Sequence, residues 1–308
     1  MNIKLTRRAA LGTAAALPLA AGLAPTPPVL AAADGSAPAN ARKFSFELGA
    51  FRVSTILAGS RAVENPQQIF GKNVSPEEFA AVSAAAFLPA DKAQFFFTPT
   101  VVDTGAQVIL FDTGLSAAGT LDALAEAGYG AEDIDLVVIT HMHPDHIGGL
   151  MNEGSPSYPN ASYVTGQVEF DAWAKMENER FEANMRPLAD RTRFVGDGDE
   201  VAPGVSAVAA FGHTPGHMCW HLESRRERIL LMADTANHYV WSLAYPDWEV
   251  RFDMDKAAAA ATRRRILGML ATERIPLIGY HMPFPGIGYV ERRGEGFNYV
   301  AHSYQLLL

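Results

Sequence analysis

Three imidazoles and one carboxylate lie within six residues of one stretch of this chain, Thr140-His141-Met142-His143-Pro144-Asp145-His146-Ile147-Gly148-Gly149. Neutral imidazole is the commonest metal ligand in proteins, and crowded imidazoles gain little from burial. The spacing allows His141 and His143 to point towards one metal ion. Asp145 and His146 would then point towards a second ion nearby. The competing interpretation is a polar loop in which the histidines occur by chance.

The stretch follows an almost wholly apolar segment, residues 134–139, which is interrupted only by Asp135. Such a segment is typical of a strand that is buried on both faces. The polar cluster therefore lies at the carboxyl end of a buried strand, where open α/β sheets usually place their ligands.

Three other candidate ligands, His217, Asp234 and His281, also follow apolar, strand-like segments. All the candidates can therefore converge on one edge of the sheets, and the seven side chains are enough for two metal ions. The donors are nitrogen and oxygen, which suits zinc but also admits manganese, cobalt or iron. The only cysteine, Cys219, lies in an apolar segment and is predicted to be a buried, unreactive thiol.

The remaining pattern predicts the strands and helices that position these residues. A hairpin is predicted over residues 44–53, a loop over residues 61–73, and a helix that begins with Ser75 as its cap. A long helix is predicted over residues 167–185, and a last helix begins after Asp255. Strands followed by helices, twice over, predict two sheet-plus-helix halves that face each other, rather than a doubly wound parallel sheet.

This order of motifs resembles the metallo-β-lactamase-fold hydrolases over nearly all of the chain beyond its N-terminal segment. The resemblance implies an α+β fold, an αββα four-layer sandwich in which two sheets pack face to face with helices outside. The residues that match the family's ligands are, for the first ion, His141, His143 and His217; for the second, Asp145, His146 and His281; and, bridging both, Asp234. Asp112 matches an aspartate that orients the metal loop by contacting a ligand.

Within the family, the chain looks closest to the methyl parathion hydrolase branch. The segments that carry this likeness are Phe252-Asp253-Met254-Asp255-Lys256-Ala257, Ala261-Thr262-Arg263-Arg264-Arg265-Ile266 and His281-Met282-Pro283-Phe284-Pro285-Gly286-Ile287-Gly288. Two departures from the wider family matter. Ala233 stands where many members have glycine, and Asn237 stands where the acyl-homoserine lactonases have tyrosine. The second departure weakens a lactonase assignment based on those enzymes.

Other residues near the motifs have less direct predicted roles. His213 is predicted to be structural, because it lies in the turn before His217, and His238 is predicted to contact a metal ligand. The three arginines of residues 263–265 are predicted to form a solvated helix face. The candidate residues of an apolar substrate pocket, which more often pack in a core, are Phe95, Phe96, Phe97 and Trp173.

The N-terminus is predicted to be an export signal over residues 1–33, in which Arg7 and Arg8 form a twin-arginine motif before an alanine-rich apolar segment. Residues 34–43 would form a flexible leader and residues 44–308 one hydrolase domain, so the mature protein would be periplasmic or secreted. An uncleaved membrane anchor is the alternative, but the apolar segment is short and no stable membrane span is expected.

The charge balance bears on the partners. The chain has 25 basic and 34 acidic residues and a formal charge of −9, which becomes −12 if the signal with Lys4, Arg7 and Arg8 is removed. Because nucleic-acid binding depends mainly on lysine and arginine, this balance argues against a nucleic-acid partner. A small-molecule ester is the expected substrate, and the protein could form a homodimer.

The predicted function is that of a dinuclear metal-dependent hydrolase with two divalent ions, most simply zinc. Zinc can lower the pKa of bound water from about 15.7 to about 7, so a bridging hydroxide could attack a neutral ester. The expected substrates are organophosphate triesters, aryl esters or lactones. The predicted catalytic residues are Asp145, which would shuttle the proton, and the bridging Asp234. The alternatives are a lactonase that uses a group other than tyrosine, a sulfur or redox enzyme on the same scaffold, and a non-catalytic zinc protein.

Overall fold

The computed structural model describes residues 42–307, which fold around two large β-sheets. The predicted export signal and nearly all of the predicted leader lie outside the described residues. Among residues 42–307, no helix has both the length and the apolar character needed to cross a bilayer.

The elements alternate in groups along the chain. The strands of the described region are, in chain order, β1 (Lys43–Leu48), β2 (Phe51–Ile56), β3 (Gly59–Glu64), β4 (Lys92–Phe97), β5 (Thr100–Asp103), β6 (Val108–Phe111), β7 (Leu136–Ile139), β8 (Met151–Asn152), β9 (Ser155–Pro156), β10 (Ser162–Gly166), β11 (Thr192–Val195), β12 (Glu200–Ala202), β13 (Val205–Ala209), β14 (Met218–Ser224), β15 (Glu227–Ala233), β16 (Leu277–Gly279), β17 (Ile287–Arg293) and β18 (Gly296–Ala301). The α-helices of the same region are α1 (Pro76–Ala85), α2 (Ala117–Ala127), α3 (Pro144–Ile147), α4 (Gln167–Trp173), α5 (Glu179–Asn184) and α6 (Lys256–Glu273).

Within residues 42–307, each large sheet has seven strands. The first has the order β1-β2-β5-β6-β7-β10-β11, and β6, β7, β10 and β11 run parallel to one another. The second contains β12 to β18 in chain order, and β15 and β16 form its parallel pair. Because parallel strands end at the same edge, the residues that follow β6 and β7, and those that follow β15 and β16, are brought side by side.

The two sheets pack face to face. One apolar core contains residues of the first sheet, such as Val53 and Val138, and residues of the second, such as Trp220 and Leu231. Helices cover the outer faces: α2, α4 and α5 pack on the first sheet, and α6 packs on the second. This is the predicted αββα sandwich, and the α+β fold class is confirmed.

Local sequence explains where the main helices begin. Ser75 accepts a hydrogen bond from the backbone N–H of Glu78, and Pro76 occupies the first turn of α1. Asp255 caps α6 in the same way, by accepting from Ala258. These two helix starts lie where the sequence predicts them.

Two predicted elements differ from the structure. The predicted long helix over residues 167–185 is interrupted between α4 and α5, because the Asn178 side chain accepts from Arg180 and Phe181 and starts a new helix. The predicted loop over residues 61–73 begins inside β3, which pairs with β4. Most side chains of β3 are exposed, so the segment lacks the apolar alternation that would indicate a strand.

Candidate metal centre

The candidate ligands lie on four loops, each next to the end of a strand. The histidine-rich loop follows β7, whose four residues are all buried, and His213 lies between β13 and β14. Asp234 directly follows β15 and His281 closely follows β16. Because β15 and β16 are parallel neighbours, these two side chains emerge at the same edge of the second sheet.

The first group of candidate ligands contains His141, His143 and His213, whose ligand atoms all lie within 4.8 Å of one another. His143 Nδ1 lies 3.1 Å from His141 Nε2 and 2.9 Å from His213 Nε2. Three imidazole nitrogens therefore converge on one point, as in a zinc site with three protein ligands.

The second group contains Asp145, His146 and His281. Asp145 Oδ2 lies 3.3 Å from His281 Nε2 and 3.8 Å from His146 Nε2. The Asp145 side chain is 20% exposed, whereas those of His146 and His281 are 0% and 3% exposed, so Asp145 is the member of this group most accessible to a substrate.

Asp234 lies between the two groups. Its Oδ2 is 3.3 Å from His213 Nε2 and 3.2 Å from His281 Nε2, and its Oδ1 is 3.3 Å from His146 Nε2. His146, Asp234 and His141 also form a third candidate group. One carboxylate within reach of both sets of histidines is the arrangement that a ligand bridging two ions requires.

Buried polar atoms test whether the pocket suits a cation. Within residues 42–307, His146 Nε2 and Asp234 Oδ1 are buried and have no hydrogen-bond partner. These two atoms lie 3.3 Å apart, and since buried polar atoms are nearly always satisfied, a cation between them would give both a partner. The surrounding donors are imidazole nitrogens and carboxylate oxygens, which fit zinc and other divalent transition metals.

The outer ring nitrogens of the candidate ligands are already occupied, which fixes how the rings point. His146 Nδ1 donates to Asp112 Oδ2 at 2.8 Å, His213 Nδ1 donates to Asp253 Oδ1 at 2.8 Å, and His281 Nδ1 donates to the Phe96 carbonyl at 2.8 Å. Each Nε2 therefore faces the cluster and can bind a cation once it is unprotonated. Carboxylates and carbonyls that hold histidine ligands in this way tune and orient metal sites.

His213, rather than His217, completes the first group, which corrects the sequence-based choice. His217 uses both ring nitrogens on backbone groups: Nδ1 donates to the Ala210 carbonyl at 3.2 Å, and Nε2 accepts from the Asp234 N–H at 3.1 Å. His217 therefore positions the backbone of Asp234. We replace His217 by His213 in the candidate ligand set.

The partner of His213 is part of a buried ion pair. Asp253 Oδ2 accepts from Arg263 at 2.8 Å, and the Arg263 side chain is 1% exposed. The prediction of a solvated face is therefore wrong for Arg263, although Arg264 is exposed. Burial would raise the pKa of Asp253, but the hydrogen bond from His213 and the charge of Arg263 outweigh it and hold the pKa below its usual value.

Two carboxylates hold the metal loop in place. Asp112 accepts from the backbone N–H and the hydroxyl of Thr140 at 2.9 Å each, in addition to His146. Glu169, which is 0% exposed, accepts from the N–H of Met142, the hydroxyl of Thr214 and the N–H of Gly216. Glu169 thereby ties the loop after β7 to the loop that carries His213.

The local charges set the protonation of the histidines in the metal-free protein. Burial and the neighbouring His213 lower the pKa of His143 to about 3, so its imidazole is neutral and able to bind a cation. Burial would also lower the pKa of His281, but Asp234 and Asp145 outweigh it and raise the pKa to about 10. A cation that binds at this point would take the place of a proton.

A cavity of about 280 Å³ opens onto the centre. Phe95 and Phe97 line it, as the sequence predicts, together with Phe252 and the exposed Leu115. Arg61, an exposed residue of β3, also lines it, and the described residues contain no ion-pair partner of Arg61. The cavity therefore combines apolar walls, a floor of candidate ligands and one cationic side chain.

The other predicted residues, Phe96, Trp173 and His238, do not line the metal cavity. Trp173 is buried in the core, 5% exposed, with its ring edge-on to His143, and Phe96 lines a separate cavity. His238 caps a short π-helical turn, Tyr239–Ala244, by accepting from Val240 and Trp241. No hydrogen bond within residues 42–307 joins His238 to a candidate ligand. Asn237 takes that role instead, since its Nδ2 donates to Asp234 Oδ2 at 2.7 Å.

Comparison with known families agrees with this geometry. Residues 98–276 match the model of the metallo-beta-lactamase superfamily, a span that contains Asp112, the histidine-rich loop, His213 and Asp234. The chain belongs to the metallo-beta-lactamase superfamily. His281 lies beyond the matched span, at the end of the next strand of the superfamily sandwich.

Relatives within the superfamily resemble only part of the chain. N-acyl homoserine lactonase of Bacillus cereus is 28% identical over 115 residues, which are 37% of this chain and 43% of the relative. Exodeoxyribonuclease WalJ of Streptococcus pneumoniae is 30% identical over 115 residues, 34% of this chain and 39% of the relative. The match thus spans less than half the length of these relatives.

Solved structures resemble nearly all of the fold. AidC, a dizinc quorum-quenching lactonase in complex with a product, has a TM-score of 0.79 at 24% identity and covers 86% of this chain and 100% of its own. The hydrolase AbOPH has a TM-score of 0.79 at 22% identity and covers 86% and 99%. At these identities the likeness shows the superfamily fold.

The sequence alone does not identify the roles of two residues of the candidate metal centre, His213 and Glu169. Gly212-His213-Thr214-Pro215-Gly216-His217 offers two histidines, and the residue types alone do not distinguish them. The strand register distinguishes them. His217 directly precedes β14, and its Nε2 accepts a hydrogen bond from the backbone N–H of Asp234. The sequence indicates the role of Glu169 only weakly. Glu169 lies four residues before Trp173 on the apolar face of α4, where a buried carboxylate needs hydrogen-bond partners.

Proposed function

We propose that this protein is a dinuclear metal-dependent hydrolase of neutral esters, lactones among them. The observation that supports this most is the pair of buried donor groups, joined by Asp234, at the floor of an apolar cavity. In this proposal the first ion is bound by His141, His143 and His213, the second by Asp145, His146 and His281, and both by Asp234.

Two bound divalent ions would supply an activated water molecule and an electrophile for the ester oxygen. The chain's own residues then bind and orient the substrate. Phe95, Phe97 and Phe252 remove the apolar part of an ester from water, and the exposed Leu115 adds a further apolar side chain to the lining. Asp145, which faces the cavity, would take a proton from the attacking water and pass it to the leaving oxygen.

The overall charge of the chain favours neutral substrates. The chain is acidic, with 25 basic and 34 acidic residues, whereas the two bound ions of this proposal would neutralise the carboxylates of Asp145 and Asp234 in the cavity wall. A doubly charged phosphomonoester would approach against this field, whereas a neutral ester or lactone would not. The guanidinium of Arg61 is placed to donate to a single polar oxygen of such a substrate.

Lactones gain support from the N-acyl homoserine lactonases among the relatives, although Asn237 replaces the tyrosine expected of such enzymes. Organophosphate triesters and aryl esters, and membership of the methyl parathion hydrolase branch, remain part of the proposal. Asn237 holds Asp234 by a hydrogen bond at 2.7 Å, so a lactonase of this kind would orient its substrate by other groups, of which Arg61 is the first candidate.

The test is a substrate panel on zinc-loaded protein: N-hexanoyl homoserine lactone, p-nitrophenyl acetate, a dialkyl p-nitrophenyl phosphate, an acyl thioester and p-nitrophenyl phosphate. We expect kcat/KM for the best neutral ester or lactone to exceed that for p-nitrophenyl phosphate by at least about a hundredfold, or about 2.7 kcal/mol. Equal rates on the monoester, or hydrolysis of the thioester alone, would reject the proposal. Arg61→Ala, with the exposed Arg193→Ala as control, should raise KM for the lactone more than it lowers kcat.

A further inference from the structure

A second cavity adjoins the metal cavity along β4. Phe95 and Phe97 line the metal cavity, whereas the second cavity is lined by Lys92, Ala93, Gln94 and Phe96 of the same strand. The second cavity has a volume of about 450 Å³. This lies within the range of about 300–1,000 Å³ that is typical of small-molecule sites. We call it the His238 cavity after one of the two buried histidines in its lining.

The walls of the His238 cavity are mainly apolar. They include Leu88, Pro89, Trp241 and Pro283 besides Phe96, and the lining contains no carboxylate. Lys92 is exposed in the lining, and its Nζ lies 3.7 Å from Glu64. In the metal-loaded protein, in which His281 would bind an ion, a charged ligand would lose its hydration without gaining a buried counter-ion, which favours a neutral ligand.

His238 adds one specific polar group. Its Nδ1 accepts from the backbone N–H groups of Val240 and Trp241 at 3.1 Å each, so the proton of the neutral ring lies on Nε2. Burial lowers the pKa of His238 to about 3, and the ring therefore stays neutral at physiological pH. The ring stacks on Trp241 at a centroid distance of 4.1 Å, which fixes its orientation.

The Nε2–H group is the unused donor in this arrangement. The His238 residue is only 8% exposed and lines the cavity, and Nε2 has no hydrogen-bond partner within residues 42–307. Nε2 is not among the fully buried unpaired polar atoms of residues 42–307, so it is accessible from the cavity, and a ligand oxygen at this point would accept its hydrogen bond. We propose that the His238 cavity binds a neutral, apolar small molecule whose carbonyl oxygen accepts a hydrogen bond from His238 Nε2.

This site is independent of the hydrolase chemistry proposed above, although His281 touches both cavities. The probe for the test is N-benzylacetamide, a neutral amide with an apolar ring and one carbonyl oxygen. Isothermal titration of the metal-loaded full chain should give one saturable site. Ala62→Phe, at an exposed position in the lining, should abolish that site by filling it. Ala106→Phe, in an exposed turn outside both cavities, is the matched control and should bind as the wild type does.

His238→Asn tests the hydrogen bond separately. Asparagine is a good helix cap, so the turn after it should survive, but its shorter side chain lacks the Nε2–H group. We expect the affinity for N-benzylacetamide to fall by about tenfold, the effect of one buried hydrogen bond. The proposal is overturned if no saturable binding occurs up to millimolar probe, or if Ala62→Phe binds normally while Leu115→Trp in the metal cavity does not. Because the readout is binding, this result does not depend on whether any ester is hydrolysed.

Discussion

At the scale of single residues, Asp234 connects the two groups of candidate ligands. Burial would raise the pKa of this carboxylate, but His281 and His146 outweigh burial and hold the pKa well below its usual range. His217 fixes its backbone and Asn237 fixes one of its oxygens. Asp234 therefore presents an ionised, oriented carboxylate before any metal ion arrives, which reduces the cost of ordering it on binding.

The exchange of His217 for His213 as a candidate ligand gives the first prediction. His213→Ala should reduce the zinc content of purified protein from about two ions to about one per chain, since the first ion would keep only two histidines and Asp234. His217→Ala should leave the stoichiometry near two but lower the free energy of unfolding by about 1–3 kcal/mol, because the Asp234 N–H loses its acceptor. Elemental analysis and urea unfolding measure the two effects.

The same two variants also show whether His213 or His217 is the metal ligand. Loss of zinc in His217→Ala, with full zinc in a folded His213→Ala, would restore His217 as the ligand. Circular dichroism of both variants shows whether any loss of zinc follows from unfolding instead.

The second prediction concerns protons. Because the pKa of His281 is raised to about 10, its imidazole carries a proton at pH 7 in the metal-free protein, and metal binding must release it. Zinc affinity should therefore rise with pH, by about tenfold per unit for each proton released. Calorimetric titration of the apoprotein in buffers of different ionisation enthalpy counts the protons. Affinity that does not change between pH 6 and 8, with no proton release, would contradict this account.

At the scale of elements, Glu169 joins two loops that are far apart in sequence. It lies on α4 and accepts three hydrogen bonds from the loops that carry His143 and His213. Glu169→Gln keeps the size of the side chain but turns one acceptor oxygen into a donor that faces donors. We expect the variant to lose about 2–4 kcal/mol of unfolding free energy and to bind zinc more weakly.

Asp171→Asn provides the control for Glu169→Gln, since Asp171 is an exposed carboxylate on the same helix. It should unfold within about 0.5 kcal/mol of the wild type. Urea unfolding and competition with a zinc-binding dye measure both variants. If Glu169→Gln behaves like Asp171→Asn, the carboxylate does not organise the loops.

The elements that sequence reasoning identifies are those with strong local signals. The strand before His141 is predicted because it is apolar throughout, and α6 because Asp255 caps it. The break between α4 and α5 is missed because Asn178 can cap a new helix or lie inside a long one, and tertiary packing decides between them. The burial of Arg263 has no local signal at all, since its partner Asp253 is supplied by a preceding loop.

The same reasoning explains what could be predicted of the site. The ligand types follow from their positions after apolar strands, because parallel strands bring their ends together. The choice between two histidines four residues apart depends on side-chain direction, which only the register of β14 provides. The pocket residues depend on which face of β4 each phenylalanine occupies, and a run of three identical residues contains no such information.

At the scale of the whole molecule, the N-terminal segment gives a prediction about where the protein functions. Arg7 and Arg8 precede an apolar segment, so we propose export of the folded, metal-loaded protein with cleavage near Ala33. Replacing both arginines by lysine should retain the full-length chain in the cytoplasm of the native host, whereas Lys4→Arg should be exported normally. Fractionation with N-terminal sequencing measures this, and export of the double variant would reject the twin-arginine route.

The division of the candidate ligands between the two sheets affects how strongly the protein resists unfolding and proteolysis. The loop after β7 of the first sheet carries four candidate ligands, and loops of the second sheet carry His213, Asp234 and His281. Bound ions would fasten one sheet to the other, so their binding energy becomes resistance to unfolding, about 4.1 kcal/mol per ion at a thousandfold excess over its Kd. Chelation should lower the midpoint of urea unfolding and speed digestion by protease, and zinc should restore both. A cell short of zinc would then lose this protein to degradation, so that abundance as well as activity would follow the metal supply.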